Sequence, residues 1–351
     1  MAQKRLMRGN EAIAEAAIRA GCRNYFAYPI TPQAELLQWM AEHMAEQENG
    51  TFVQAESEIG AINMVFGAAS AGERTMTSSS SPGISLKQEG ISYLAGANLP
   101  AVVVNIMRGG PGLGNIQPAQ GDYFQSTKGG GHGDYHSIVL GPSSVPEAAQ
   151  LTYEAFGLAD QYRIPVMVLA DGMIGQMMEP VELPKATDLS SLPAKEWATD
   201  GAENREPNTI KSFALGAEKL KSINVCLQEK YQLIKSEEIR YEELNVEDPD
   251  LLLVCYGTVG RIAKSVLKLA SERDLNLGLF RPITLWPFPY ERLEELSKGV
   301  DTVLTVEMSA GQMWEDVQLA TGKGVDTPFY GETGGIVPTP KEILKEVQEY
   351  V

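Results

Sequence analysis

Apolar and polar residues alternate in blocks along the first half of the chain, and the period within each block separates strands from helices. The short apolar runs 25–28, 52–55, 74–78, 101–106, 138–140 and 165–170 are strand-like. Between them, 32–44, 59–71, 83–97 and 146–160 carry helical spacing, and Asn10 is placed to cap an Ala-rich helix over 11–19 that Gly21 ends. Runs without a polar face, such as Ala101-Val-Val-Val104, suit parallel strands covered on both sides. The pattern predicts an α/β fold with a doubly wound parallel sheet over residues 1–180. Residues 181–246 break the rhythm and read as a connecting arm, polar and Pro-containing over 188–208, then loop and charged helix over 210–243. From 247 to 351 the alternation resumes as a second, smaller α/β unit. Its strands fall at 251–255, 276–280 and 301–306, its helices at 259–273, 290–298 and 341–350, and its sheet reads as parallel.

Composition narrows the function. With 351 residues and 43% hydrophobic content, the chain is long enough for two folded domains. A formal net charge of −17 argues against nucleic acid and against docking on an anionic membrane. Cys22, Cys226 and Cys255 lie far apart with no C-x-x-C, which argues against an iron–sulfur cluster or zinc site held by this chain alone and fits a reducing cytoplasm. The basic start, residues 1–8, leads to no apolar core and does not read as a signal peptide. No run approaches the roughly 20 apolar residues of a membrane span.

Several stretches could carry chemistry. Arg108-Gly-Gly-Pro-Gly-Leu-Gly114 follows an apolar strand, where open α/β sheets bind ligands. It lacks the G-x-G-x-x-G spacing of a dinucleotide site, and its plain reading is a surface loop. Arg108, leaving a buried strand, is nevertheless placed to bind a carboxylate bidentately. Tyr28-Pro-Ile-Thr-Pro-Gln33 also leaves a strand; Thr31 alone reads as a helix cap, but it stands at a strand end equivalent to that of Arg108. Gly257-Thr-Val-Gly260 lacks a third glycine and reads as a tight turn. The serines Ser78–Ser81 precede a helix start and could face a ligand. His132 and His136 flank Asp134 in a glycine-rich loop, which favours a mobile loop over a metal site. Glu56 and Glu58 precede a small-residue helix. A helix-start role explains an exposed carboxylate there; a carboxyl packed beside Ile59, Gly60 and Ala61 is better explained as a group sharing a proton with a ring nitrogen.

In order, Tyr28-Pro-Ile-Thr-Pro32, Glu56-Ser-Glu-Ile-Gly60, Arg108-Gly-Gly-Pro111 and Gly131-His-Gly-Asp-Tyr135 resemble the alpha subunit of 2-oxoacid:ferredoxin oxidoreductases. Gly257-Thr-Val-Gly-Arg261, the run from Phe280 to Pro289, and Val306-Glu-Met-Ser-Ala-Gly-Gln312 extend the resemblance across the second unit. The length, without an extra amino-terminal domain, looks most like the branched-chain (3-methyl-2-oxobutanoate, ketoisovalerate) member, with the 2-oxoglutarate member as the alternative. The resemblance implies a thiamine diphosphate pyrimidine-binding domain followed by a transketolase C-terminal-like domain. Glu58 matches the glutamate at N1′ of the aminopyrimidine. Pro29 and Ile30 match cofactor-contacting positions, and Thr31 and Arg108 match positions near the substrate carboxylate and carbonyl.

The implied reaction is oxidative decarboxylation of a 2-oxoacid, with coenzyme A taking the acyl group and electrons leaving singly through iron–sulfur clusters to ferredoxin. Glu56 does not occupy the matching position, so the two glutamates are not a catalytic dyad. Thiamine diphosphate enzymes hold Mg2+ and the diphosphate with a Gly-Asp-Gly segment that this sequence lacks. The resemblance therefore implies a beta subunit for Mg2+ and diphosphate, gamma and delta ferredoxin-like subunits for the clusters, and a cytoplasmic complex active only when assembled. Two readings of other kinds remain open from sequence: a non-catalytic scaffold, and a nucleotide-binding dehydrogenase using one of the glycine turns.

Overall fold

The computed structural model describes residues 4–351, so the first residues of the basic amino terminus lie outside the described part. The larger sheet has seven strands in the order Thr284–Trp286, Ile138–Leu140, Pro165–Asp171, Ala101–Met107, Thr75–Ser79, Asn24–Ala27, Thr51–Gln54. The six strands from the first half of the chain run parallel, and Thr284–Trp286 joins the edge antiparallel. Ala101–Met107 and Pro165–Asp171 are buried along their whole lengths, because helices cover both faces and leave no position for a solvated side chain. The chain lays Asn24–Ala27, steps outward to Thr51–Gln54, then crosses back through the helix Glu58–Ser70 to Thr75–Ser79 on the other side. That reversal makes a crevice between the carboxyl ends of Asn24–Ala27 and Thr75–Ser79.

The smaller sheet has the order Phe329–Gly331, Val303–Glu307, Leu251–Val254, Leu277–Pro282, Tyr241–Leu244. It is not purely parallel, as the sequence pattern suggested. Tyr241–Leu244, at the far end of the connecting arm, pairs antiparallel with Leu277–Pro282. An edge strand fed directly from the arm helix Ala217–Glu237 needs no crossover and can take either direction.

The two sheets are stitched together. Within the run from Phe280 to Pro289 the chain leaves the smaller sheet after Pro282 and pairs with the larger one from Thr284, burying Trp286. Arg281, buried at this crossing, bonds Glu242 of its own sheet at 2.6 Å and Glu147 of the first unit at 2.7 Å. Asn10 does not cap the first helix. That helix runs over Gly9–Arg19, and Arg8 N–H donates to Glu11 at its start. Arg5–Arg8, ahead of it, pairs antiparallel with Met178–Val181.

Candidate active site

Four neighbouring strands of the larger sheet end at the crevice, and each is followed by one of the segments singled out in the sequence. Thr51–Gln54 leads to Glu58, Asn24–Ala27 to Tyr28–Gln33, Thr75–Ser79 to the last two serines, and Ala101–Met107 to Arg108. The parallel winding thus gathers Thr31, Glu58, Ser79–Ser81 and Arg108 at one edge.

Glu58 is the first residue of its helix, and Ser57 is the cap, its hydroxyl accepting Gly60 N–H at 3.1 Å. Glu56 is exposed and accepts the Ser57 hydroxyl at 3.1 Å. Glu58 is only 6% exposed, yet its carboxyl makes no hydrogen bond or ion pair among the described residues. It lies across Gly83, near the start of the helix Pro82–Gly96. A β-carbon there would come within 2.6 Å of Glu58 Oε1 and collide with Ser79 Oγ. Glycine at 83 is therefore what allows a carboxyl to occupy this notch.

Beneath it, Ser78 is fully engaged, donating to Gln33 Oε1 and paired with the Tyr25 hydroxyl, both at 2.6 Å. The Ser79 and Ser80 hydroxyls are buried with no partner, which a built polar site explains and a packed core does not. Ser81 takes a positive φ of 21°, held by three bonds: its N–H to Asn105 Oδ1 at 3.1 Å, its hydroxyl to Asp122 Oδ2 at 2.6 Å, and Arg108 N–H to its Oγ at 2.9 Å. Burial raises the Asp122 pKa, while its bonds from Ser81 and Asn105 lower it.

Arg108 is buried, and its guanidinium spans the two flanking loops. Nη1 donates to the Thr31 carbonyl and Nη2 to the Leu113 carbonyl, both at 2.9 Å, leaving Nε buried without a partner. The bidentate carboxylate grip expected from sequence is therefore partly committed to the chain itself. The glycine loop closes tightly: Gly114 has φ 60°, and a β-carbon there would collide with Gly109 O. Its tip leaves Leu113 exposed. Thr31 is exposed and is not a cap; Gln33 takes that position for the helix Ala34–His43.

Some residues that build this site were not given a part in it from sequence. Asn10 is buried and donates to Pro32 O and Glu35 Oε2, each at 2.8 Å, fixing the loop that carries Thr31. Gln120 joins the units, its Nε2 donating to Tyr256 O at 3.0 Å and its Oε1 accepting Met308 N–H at 2.9 Å. Lys87 is fully buried and donates to Thr77 Oγ1 at 2.7 Å and Ser78 O at 2.9 Å. Burial pushes its ammonium down to about 7, and the Glu58 charge acts to raise it. A signal for Lys87 did exist: Ile84, Lys87 and Ile91 recur at helical spacing on one apolar stripe.

The other candidates sit elsewhere. Gly257-Thr-Val-Gly260 is an interdomain clasp, with the Thr258 hydroxyl donating to Asp171 Oδ1 at 2.8 Å. His136 stacks on Trp286 at 4.5 Å and meets Tyr231 edge-on, and burial lowers its pKa. Among the described residues no group of His, Cys, Asp and Glu is arranged to hold a metal ion.

Comparison with known proteins gives this arrangement its context. Residues 15–247 match the family model of the pyruvate flavodoxin/ferredoxin oxidoreductase thiamine diphosphate-binding domain. The chain belongs to this oxidoreductase family. Residues 249–343 match a second model, pyruvate:ferredoxin oxidoreductase core domain II. The chain is 49% identical to the ketoisovalerate oxidoreductase subunit VorB of Methanothermobacter marburgensis, covering 98% of this chain and 97% of that one. It is 33% identical to the 2-oxoglutarate synthase subunit KorA of Methanothermobacter thermautotrophicus, covering 99% of each. Among solved structures it resembles the 2-oxoglutarate:ferredoxin oxidoreductase from Magnetococcus marinus with 2-oxoglutarate, coenzyme A and succinyl-CoA bound. That match has a TM-score of 0.89 at 25% identity, over 99% of this chain and 65% of that chain. Thr31, Glu58, Ser79–Ser81 and Arg108 all lie within the first matched unit, residues 15–247. No described helix is long and apolar enough to cross a membrane.

Proposed function

We propose that this chain holds the aminopyrimidine end of thiamine diphosphate in a cytoplasmic 2-oxoacid:ferredoxin oxidoreductase complex whose substrate is the branched-chain 3-methyl-2-oxobutanoate. One observation carries the site: Glu58 packs at the sheet's switch point, 6% exposed, and no group among the described residues bonds its carboxyl, which is left open to the crevice. A carboxyl set in such a notch with its acceptors open is placed to be completed by another molecule. The fit is to a polar heterocycle, because the Ser79 and Ser80 hydroxyls and Arg108 Nε lie buried without partners at the same edge.

In this reading Glu58 holds a proton at the ring's N1′, while Pro29 and Ile30 pack beside the ring. Bound thiamine diphosphate supplies the carbon nucleophile and the electron sink for decarboxylation. Arg108 and Thr31 orient the oxoacid, Arg108 through donors left over after it ties the two loops together. The branched-chain assignment rests on the higher identity to the ketoisovalerate subunit than to the 2-oxoglutarate subunit.

The site is half of a whole. A beta subunit would supply Mg2+ and hold the diphosphate. Gamma and delta subunits would carry iron–sulfur clusters to ferredoxin, with coenzyme A as co-substrate. An apolar face beside the crevice supports this: Ile59 is 53% exposed on one helix, Leu86 51% on the next, and Tyr93 stands one helical repeat further along.

Co-expression with its partner subunits and an assay of 2-oxoacid-dependent viologen reduction tests the reading. The complex should show its highest kcat/KM with 3-methyl-2-oxobutanoate, and the chain alone should be inactive. A preference for 2-oxoglutarate would overturn the substrate, and activity of the isolated chain would overturn the shared site.

A further inference from the structure

The turn Met308-Ser-Ala-Gly-Gln312 of the second unit has no task in the function proposed above. It interlocks with residues 120–124 of the first unit through two glutamines, one from each side. Gln120 is fully buried and brackets Met308: its backbone N–H donates to Met308 O at 2.8 Å, and its Oε1 accepts Met308 N–H at 2.9 Å. Gln312 brackets the first unit in return. Its Nε2 donates to Gly121 O at 2.7 Å, and its Oε1 accepts Phe124 N–H at 2.8 Å. Only a side-chain amide can serve both ends of that stretch, because a carboxylate has no donor and an apolar chain has neither group. Beside this grip the buried Tyr123 hydroxyl donates to the buried Asp316 at 2.7 Å.

The residue enclosed by Gly121 and Phe124 is Asp122, and its carboxylate points back into the crevice. There Oδ2 accepts the Ser81 hydroxyl at 2.6 Å and Asn105 Nδ2 at 2.8 Å. Ser81 Oγ in turn accepts Arg108 N–H at 2.9 Å. An unbroken chain of bonds therefore runs from Gln312 through the backbone at 121–124 to Asp122, Ser81 and the backbone of Arg108. Two guanidinium nitrogens of Arg108 are already fixed on loop carbonyls, so the place of its backbone decides where the unpartnered Nε lies. The far side of the Arg108 loop meets the same unit. Asn115 N–H closes on Gly109 O at 2.9 Å, and its Nδ2 donates to Gly334 O at 2.9 Å. Gly335, with φ 91°, passes so close that a β-carbon there would come within 2.1 Å of Gln117 Cβ. The second unit thus holds the segment that carries Arg108 on both sides.

We infer that Gln312 is a positioning residue for oxoacid binding: through Asp122 and Ser81, the second unit sets the place of Arg108 in the first. The inference rests on the reading of Arg108 as the group that orients the oxoacid, but its first test needs no substrate.

Amide hydrogen exchange of the full chain reads the grip directly. In Gln312→Met the Ser81 and Arg108 amides should exchange at least about tenfold faster, while those of the strands Pro165–Asp171 and Leu251–Val254 keep their rates. Unchanged rates at Ser81 and Arg108 would overturn the inference, and so would an equal acceleration throughout the chain, which marks general loosening. Gln312→Glu keeps the acceptor for Phe124 N–H and loses the donor to Gly121 O. It should speed the same two amides by a smaller factor, at least about threefold, and it decides the matter if Gln312→Met fails to fold. In the assembled complex, Gln312→Met should raise KM for 3-methyl-2-oxobutanoate about tenfold and change kcat less than about twofold. A merely structural glutamine would lower the amount of active complex, and hence the apparent kcat, with KM unmoved; that result overturns the inference. Arg108→Met separates the two readings. An unchanged KM in Arg108→Met would sink the role of Arg108 itself, whereas a raised KM there beside an unchanged one in Gln312→Met would sink the coupling alone.

Discussion

Glu307 ends the strand Val303–Glu307 of the smaller sheet with its carboxylate accepting Trp314 N–H at 2.9 Å, Met313 N–H at 3.0 Å and the Ser309 hydroxyl at 2.9 Å. Glu58 lies at the corresponding kind of junction in the larger sheet, a strand end leading into a helix, and its carboxyl accepts nothing. Both are buried glutamates. Glu307 is consumed by capping the start of the helix Met313–Thr321, so its burial is explained within the chain. Glu58 leaves the capping of its helix to Ser57, so its carboxyl stays free for something outside the chain. The difference teaches that burial alone does not mark a working carboxylate; burial with its acceptors left open does.

Exchanging the two residues' properties should break the comparison cleanly. The largest effect is expected for Glu58→Gln, which should lower kcat of the assembled complex about 10²–10⁴-fold. Its thermal unfolding should move by less than about 1 kcal/mol, because no bond is lost. Glu307→Ala should do the reverse, costing about 2–4 kcal/mol in a denaturant titration by leaving helix-start donors unpaired. Activity per folded complex should fall far less than for Glu58→Gln. Gly83→Ala sharpens the contrast. Alanine ordinarily stabilises a helix by up to about 1 kcal/mol over glycine, but here it should displace Glu58 and cut kcat about tenfold, measured with saturating substrate.

The smallest effect is a slope. Lys87 titrates at about 7 when folded against 10.5 as the free side chain, so between those values the unfolded chain binds the extra proton. Stability should therefore rise with pH across that window, and the contribution is absent below it, where both states are protonated. Lys87→Met should flatten the rise, which unfolding midpoints at pH 7 and pH 10 would register.

Much of the larger sheet was legible because its strands are apolar throughout and its helices keep strict spacing, as in Ala101–Met107 and Val145–Tyr162. What escaped was whatever depends on a partner remote in sequence. Arg5–Arg8 and Thr284–Trp286 are too short to announce themselves and exist only because Met178–Val181 and Ile138–Leu140 offer an edge. Asn10 looks like a cap, but Pro32 and Glu35, brought near by folding, claim its amide. At the site, the run Glu56-Ser-Glu58 showed that one carboxylate stood in an apolar setting. It could not show that Gly83 makes room for it, or that Arg108 has already given two donors to its own loops.

The crossing strand Thr284–Trp286 bears on how this molecule can be cut. The two matched units meet at residues 247 and 249, an obvious place to divide the chain into separately produced halves. A fragment ending there would lose the strand that covers Ile138–Leu140 and present a bare row of backbone donors and acceptors, the template on which sheets polymerise. It would also release Gln120 from Tyr256 and Met308. The modular boundary written in the sequence is thus not a line of cleavage in the folded object: the second half is the selvedge that keeps the first from fraying.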